Sequence, residues 1–265
     1  GMVRAARRGC APLATHRPAA DLDWPAYLSP RNTSPPWFLH AARLVSRAGY
    51  RVMLHGFVRG INRLHEALDA ASIPYSLSLE EAREALDKGA ITYMPLSAVD
   101  PQLQALNSLY RLFEMRSPLN LVIQLLNPAG APCSILGVPS AAGRTLQRDA
   151  AALLGWPRLL AVGTNRDVAQ ATPSRATPLL ILDQGEHREL SLRPAHPRLQ
   201  SNPRIGFSTM EYWRGLWTGA VKDEHAIEVV VTTAALALMT VAGGPLDYDR
   251  ARAHALQLWN GRLRS

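Results

Sequence analysis

An α/β fold with a mostly parallel central sheet flanked by helices is the expectation for this chain, and three observations predict it. The 265 residues, with 47% hydrophobic and 19% charged side chains, suffice to bury one large core or two modest ones, which sets disorder aside. Ser134 to Val138 and Arg158 to Val162 read as short buried strands, joined by a helix from Gly143 to Leu154 that Gly155 stops. That is the strand–helix–strand rhythm of a doubly wound sheet. The same alternation runs through the first half, where a helix over Trp37 to Ala48 is followed by strands at Tyr50 to His55 and Ile91 to Leu96.

Residues 1–20 mix Arg, Ala, Pro and Gly without periodicity and are expected to form an extended arm. Gly1-Met2 reads as a tag remnant before a native start, and no signal peptide is expected, because no apolar stretch follows the arginines. Asp21 to Pro36 carries four prolines and no glycine. Its Trp24 and Tyr27 suit either core packing or a stacking platform for bases. In the helix that follows, Phe38, Ala41, Ala42 and Val45 share one face, and Arg43 and Arg47 lie on another. Gly49 ends it. His55-Gly56 turns the next strand into a loop, Leu64 to Ala71 reads as a helix, and Ser78-Leu79-Glu80-Glu81 is a capping box for a helix ending at Gly89. Asp100-Pro101 opens another, with an apolar stripe of Leu103, Leu106, Tyr110 and Phe113.

From Arg116 to Cys133 the chain is rich in Asn, Pro and Gly and reads as an extended, turning connector fixed by amide side chains. Pro178 to Leu182 and His187 to Leu192 form a hairpin around Asp183-Gln184-Gly185-Glu186. Pro194 to Arg214 reads as irregular. There Arg193, Arg198, Arg204 and Arg214 alternate with Phe207, Tyr212, Trp213 and Trp217, a pattern that suits single-strand binding or a packed loop with a solvated rim. Asp223-Glu224 caps an apolar segment, Ala226 to Gly243, that is shorter than the roughly 20 residues of a membrane span. It contains Glu228 and three threonines, so it reads as a core helix. Asp247 caps a last helix ending in Arg262 and Arg264.

The net charge is +8, with 29 basic residues and a pI near 10.1. This favours anionic partners, nucleic acid or a phosphate ligand, over neutral ones. The two cysteines, Cys10 and Cys133, are far apart in sequence, which favours a reducing, cytoplasmic compartment over a disulfide.

Arg116 and Asn120, the run Asn127-Pro128-Ala129-Gly130, and Leu136-Gly137-Val138 together resemble the anthranilate phosphoribosyltransferase family. These glycosyltransferase family 3 enzymes use phosphoribosyl pyrophosphate, and the resemblance extends weakly from about Asp21 to the C-terminus. It implies the fold of nucleoside phosphorylase-type proteins and a homodimer. The α/β domain would comprise residues 21–75 and 116–265, with residues 76–115 inserted as part of a smaller helical subdomain. The helices with which the family opens are not found here, so either the true start lies upstream or part of that subdomain is absent. Ligand-binding roles are implied for His55, Gly56, Arg116 and Asn120, with Arg116 matching the arginine that recognises the acceptor. Structural roles compete: His55 as a satisfied histidine beside a glycine turn, Arg116 as a carbonyl cap or the partner of Glu114.

Three departures bear on chemistry. The family's glycine-rich pyrophosphate cradle falls in the glycine-free Asp21 to Pro36 stretch. Its lysine and asparagine around the His-Gly pair become Leu54 and Phe57. Its acidic pair that holds magnesium falls in Gly163 to Gln170, where Asp167 is the sole acid, so neither magnesium nor another cofactor is expected. Arginines enter as a serine-rich loop is lost, so Arg59, Arg63, Arg111 and Arg116 are phosphate or nucleic-acid candidates. A solvated face is the alternative for Arg59 and Arg63. The expected function is therefore a diverged protein of this family, without anthranilate phosphoribosyltransferase activity, that binds nucleic acid or another polyanion non-specifically as its diverged nucleic-acid-binding branch does. The alternatives are an active pentosyltransferase with an unknown acceptor and, more weakly, a protein-binding scaffold.

Overall fold

Seven strands, β1 (Leu22–Pro25), β2 (Val52–Gly56), β3 (Ile91–Pro95), β4 (Cys133–Gly137), β5 (Arg158–Val162), β6 (Thr177–Asp183) and β7 (Glu186–Leu192), make one sheet in the computed structural model of the chain. The structure describes residues 1–9, 19–27, 35–57, 64–108, 118–164, 167–194, 206 and 208–263. The strand order is β3-β2-β1-β4-β5-β6-β7. β1 to β5 are parallel, and β6 and β7 run antiparallel. The expected fold class is the observed one.

The parallel strands are buried on both faces, as their largely apolar sequences favour. β7 differs. It is exposed along almost its whole length and carries Glu186, His187, Arg188 and Glu189, charges that discourage edge-to-edge pairing. The expected hairpin turn joins β6 to β7 through Gln184 (φ 50°) and Gly185 (φ 87°), two successive left-handed residues that match the twist of the strands.

Alternate residues of the strands point to two cores. On one face, Trp24, Leu54, Tyr93, Ile135, Leu160 and Ile181 pack under α2 (Trp37–Arg47), α3 (Leu64–Ala70), α9 (Thr209–Thr218), α10 (Glu224–Val241) and α11 (Tyr248–Asn260). On the other face, Met53 and Met94 lie under α4 (Leu79–Gly89), α5 (Leu96–Val99), α6 (Pro101–Ser108) and α7 (Pro118–Gln124). Farther along that face, Leu136, Leu159 and Leu182 pack with α8 (Ala141–Leu153) and Trp156. α10 is long and apolar enough to cross a membrane by composition, but 78% of it is buried inside the fold, as the core helix the sequence predicts.

Several expectations need correction. Residues 2–9 are not extended: they form α1 (Met2–Gly9), whose Val3 and Ala6 dock on the two smaller clusters. Arg4 of this helix donates to the Leu153 carbonyl at 3.0 Å. The connector contains a helix, α7, because Pro118 sits at a first helical position and Val122 and Ile123 give the turn a face to bury. Beyond it the expected amide fixation holds: Asn127 (φ 44°) both donates to the Ala131 carbonyl and accepts from the Ala131 N–H, each at 2.8 Å.

Of residues 76–115, those described, 76–108, supply β3, which pairs along β2, and α4, whose Ala82 and Leu86 share a cluster with Met53. Ala90, at φ 55°, takes the left-handed position expected after the helix. In the Ser78 cap the Glu81 carboxylate accepts from Leu77 N–H at 2.7 Å rather than from Ser78. Within Pro194 to Arg214, residues 209 onward form α9, opened by a Ser208/Glu211 capping box. Tyr110 and Phe113 of the predicted stripe, and Arg198, Arg204 and Phe207, lie outside the described residues.

Candidate functional site

The strand order reverses between β1 and β4: β1 leads outward to β2 and β3, β4 to β5. In open α/β sheets the crevice outside the carboxyl ends of the strands at such a point is where ligands bind. Here those ends carry Ala26 and Tyr27 after β1, Gly56 and Phe57 after β2, Val138 to Ser140 after β4, and residues 163–171 after β5.

His55 is completely buried. Its Nδ1 lies 3.0 Å from the Tyr27 hydroxyl and its Nε2 3.0 Å from Asp23 Oδ1, close but not aligned as a hydrogen bond. The other oxygen of Asp23 accepts from Ser134 Oγ at 3.0 Å. Ser134, Asp23, His55 and Tyr27 thus form a polar chain across β4, β1 and β2, none of them more than 2% exposed. Trp24 packs on Phe38 (centroids 6.4 Å apart), and Tyr27 on Phe57 (5.3 Å). Both aromatics are therefore core residues, as one of the two sequence alternatives has it.

Above this chain the backbone closes over itself. Ala26 bridges Val168, and both are fully buried. A Cβ on Gly56 would meet the Ala26 carbonyl oxygen at 2.5 Å, and one on Gly137 the Val168 carbonyl group at 2.1 to 2.2 Å. These two glycines are there to let strand ends and crossing backbone touch. Beside the closure a cleft of about 380 Å³ remains open, lined by Tyr27, Asn120, Gln124, Pro139, Ser140 and Asp167, among others. Gln124 is committed, its Nε2 donating to the carbonyls of Gly137 (3.2 Å) and Asp167 (3.3 Å) while its Oε1 accepts from Gln147 at 3.0 Å. Arg144 Nη1 donates to the carbonyls of Val138 and Pro139 at the end of β4, at 3.1 and 3.0 Å.

No family model matches the chain. Curated proteins do. The anthranilate phosphoribosyltransferase of Desulfitobacterium hafniense (strain Y51) is 28% identical over 156 residues, 58% of this chain and 46% of that protein. The one from Azotobacter vinelandii is 27% identical over 225 residues, 81% of this chain and 65% of that protein. The chain thus spans about half the length of the first of these relatives. Among solved structures, anthranilate phosphoribosyltransferase from Thermus thermophilus aligns at TM-score 0.74 and 21% identity, over 100% of this chain and 84% of that one. The Saccharomyces cerevisiae enzyme in complex with PRPP and Mg aligns at TM-score 0.70 and 14% identity, over 98% and 74%. In sequence over part of its length, and in fold over all of it, the chain is similar to anthranilate phosphoribosyltransferases.

Of the residues to which this family resemblance assigns ligand roles, His55 and Gly56 lie beneath the closure and Asn120 lines the cleft. The structure does not gather the three at one accessible surface. Arg116, together with Arg59, Arg63 and Arg111, lies outside the described residues. The donor set does not fit the family's magnesium: the lining offers one carboxylate, Asp167, where hard cations gather several oxygen ligands. Among the described residues no three His, Cys, Asp or Glu side chains come together as metal ligands.

Several arginines serve as internal ties of the fold. Arg51 grips both oxygens of Asp21 (Nε 3.2 Å, Nη2 2.8 Å). Arg158 pairs with Asp183 and donates to the carbonyls of Thr240, in the last turn of α10, and of Gly244 beyond it. Arg43 stacks on Trp217 at 3.7 Å, beside a buried His40 whose Nε2–H donates to the Trp213 carbonyl at 3.0 Å. Burial first, with Arg43 and Arg262 adding to it, pushes the His40 imidazole down to about 3. Sequence inspection missed a second hollow, of about 480 Å³, where Arg175, Arg193 and Arg252 meet. Nothing in the spacing of these arginines marks them, since three separate segments bring them together.

Proposed function

We propose that this chain is a diverged member of its family that no longer transfers a phosphoribosyl group and instead binds nucleic acid, or another polyanion, without sequence preference, in the manner of the family's diverged nucleic-acid-binding branch. The observation that carries this is the closure over His55-Gly56. The pair implied to meet substrate has both imidazole nitrogens directed at Tyr27 and Asp23 and the Ala26 backbone packed against the glycine, so substrate has no path to it. A net charge of +8 supplies the attraction for a polyanion, which is felt as counterion release. We further propose that the protein works without a metal, as a homodimer, in the cytoplasm. Cys133 suits a reducing compartment, being a buried free thiol that burial pushes up to about 11.

Two titrations test this. Binding of a labelled single-stranded oligonucleotide, followed by fluorescence anisotropy across a salt series, should weaken steeply as salt rises; a flat dependence rejects polyanion binding. Calorimetry with phosphoribosyl pyrophosphate, with and without magnesium chloride, should give no heat. Light scattering decides the dimer.

One observation favours a second possibility, an active pentosyltransferase on an unknown acceptor: the open cleft at the strand reversal, with Asn120 in its wall. Magnesium-dependent heat with the donor would select it.

A further inference from the structure

The hairpin β6–β7 ends on the same sheet edge as the cleft. Leu179 of β6 pairs with Val162, the last residue of β5, and Thr177 pairs with Leu192 where the hairpin opens. Arg175 precedes that opening and Arg193 follows it. Ala171, on the approach to β6, donates its N–H to Thr233 of α10 at 3.0 Å, which holds this side against the helical layer. α11 begins opposite, after its Asp247 cap, and brings Tyr248, Asp249 and Arg252 to the same hollow.

Three guanidinium groups therefore face one recess of about 480 Å³, against a single lining carboxylate, Asp249. Arg252 is anchored in its floor. Its Nη2 donates to both oxygens of the nearly buried Glu228, at 3.0 and 2.8 Å, and Thr232 Oγ1 donates to the same carboxylate at 2.9 Å. Arg175 and Arg193 are exposed, and among the described residues neither guanidinium has an ion-pair partner, whereas Arg51, Arg148, Arg158 and Arg188 all do. Hydroxyls of Thr177 and Ser191 also line the recess. Two guanidinium forks on a rim, without an ion-pair partner among the described residues, a fixed one in the floor and hydroxyl donors between them match the several acceptor oxygens of a phosphate group. The volume suits a phosphate with its attached sugar.

We propose that this recess is a phosphate-binding subsite, gripping a backbone phosphate of single-stranded nucleic acid. The assignment rests on the polyanion-binding function above and locates it on the β6–β7 and α10–α11 side of the sheet edge. The test compares the full-length chain with two double variants that each remove two positive charges: Arg175→Ala/Arg193→Ala in the recess, and Arg8→Ala/Lys88→Ala at exposed positions elsewhere. Labelled oligothymidylate is titrated across a salt series, with inorganic phosphate and a thymidine mononucleotide as competitors.

The recess variant should bind about tenfold more weakly, and the slope of log affinity against log salt should fall by about 1.4, two single-strand contacts at about 0.7 each. The control should change by less than about twofold. Competition by the mononucleotide in the wild type, lost in the recess variant, supports the subsite, and competition by inorganic phosphate alone shows the phosphate rather than the nucleoside to be the recognised part. Equal weakening in the two variants overturns the subsite and leaves polyanion binding standing. No oligonucleotide binding by the wild type overturns both. Since both rim arginines are exposed, unfolding of the recess variant should coincide with that of the wild type, so that a binding loss is not a folding loss.

Discussion

His55 at the end of β2 and Arg193 just past the end of β7 stand on the same edge of one sheet, yet their surroundings are opposite. His55 is fully enclosed, with a hydroxyl and a carboxylate within 3.0 Å of its two nitrogens. Arg193 is exposed and lines a recess with Arg175, which is exposed too. The first belongs to a pair of letters that a family resemblance marks as functional; the second stands only in a loose basic and aromatic run, and its neighbours in the recess, Arg175 and Arg252, in no motif. A sequence signature can persist because a buried polar chain needs its members, since removing one leaves the others unsatisfied at a cost well above that of an exposed contact. An open site can form where no signature exists.

The contrast can be broken most severely at its backbone. Gly137→Ala places a carbon about 2.1 Å from the Val168 carbonyl carbon, which neither backbone can accommodate without parting the Ala26–Val168 bridge. The expected loss is about 3 kcal/mol or more, read as a drop in the urea midpoint or failure to accumulate folded protein. A variant as stable as the wild type would mean that the closure is not tight.

His55→Ala should cost nearly as much, about 3 kcal/mol, because it opens a cavity and takes away one of the partners of the buried Asp23. Oligonucleotide affinity of the surviving folded protein should not change. If affinity falls while stability holds, His55 meets ligand and the enclosed end of the comparison is wrong.

The buried His40 sharpens the comparison, because its surroundings are aromatic and cationic where those of His55 include a carboxylate. His40 is held neutral in the fold, with its pKa lowered from 6.5 to about 3. Its contribution is therefore fully present above pH 6.5 and is lost as pH falls toward 3, since the unfolded chain binds the proton first. Between pH 7 and pH 5 that amounts to about 2 kcal/mol. The difference in unfolding free energy between wild type and His40→Gln should show this slope; parallel pH profiles would contradict it. The smallest effect is expected in the open recess, where Arg193→Ala should alter stability by less than about 0.5 kcal/mol while reducing the salt dependence of binding.

Local chemistry was legible in the sequence. The N-caps at Asp223 and Asp247 form as read, each side chain accepting the helix N–H three residues on. The β6–β7 turn needed two left-handed residues and has Gln-Gly. The apolar segment from Ala226 became the core helix. Legibility failed where a short helix is stabilised by what it docks against: α1 and α7 are eight and seven residues long, too short to persist by propensity alone, and α9 lay in a stretch whose Tyr212, Trp213 and Trp217 turned out to be buried rather than presented to a ligand.

By itself the sequence determined the strand–helix alternation, the resemblance to a known family and the departures from its acidic pair and glycine-rich stretch, because these depend on residue identity at short range or on a motif. The tertiary structure alone decided that His55 and Gly56 are sealed, that Arg51 and Arg158 are internal ties, and that Arg175, Arg193 and Arg252 share a recess. Burial and charge pairing arise between segments brought together by the sheet and its helices, tens of residues or more apart in the chain, and no local pattern encodes which side chains will meet there.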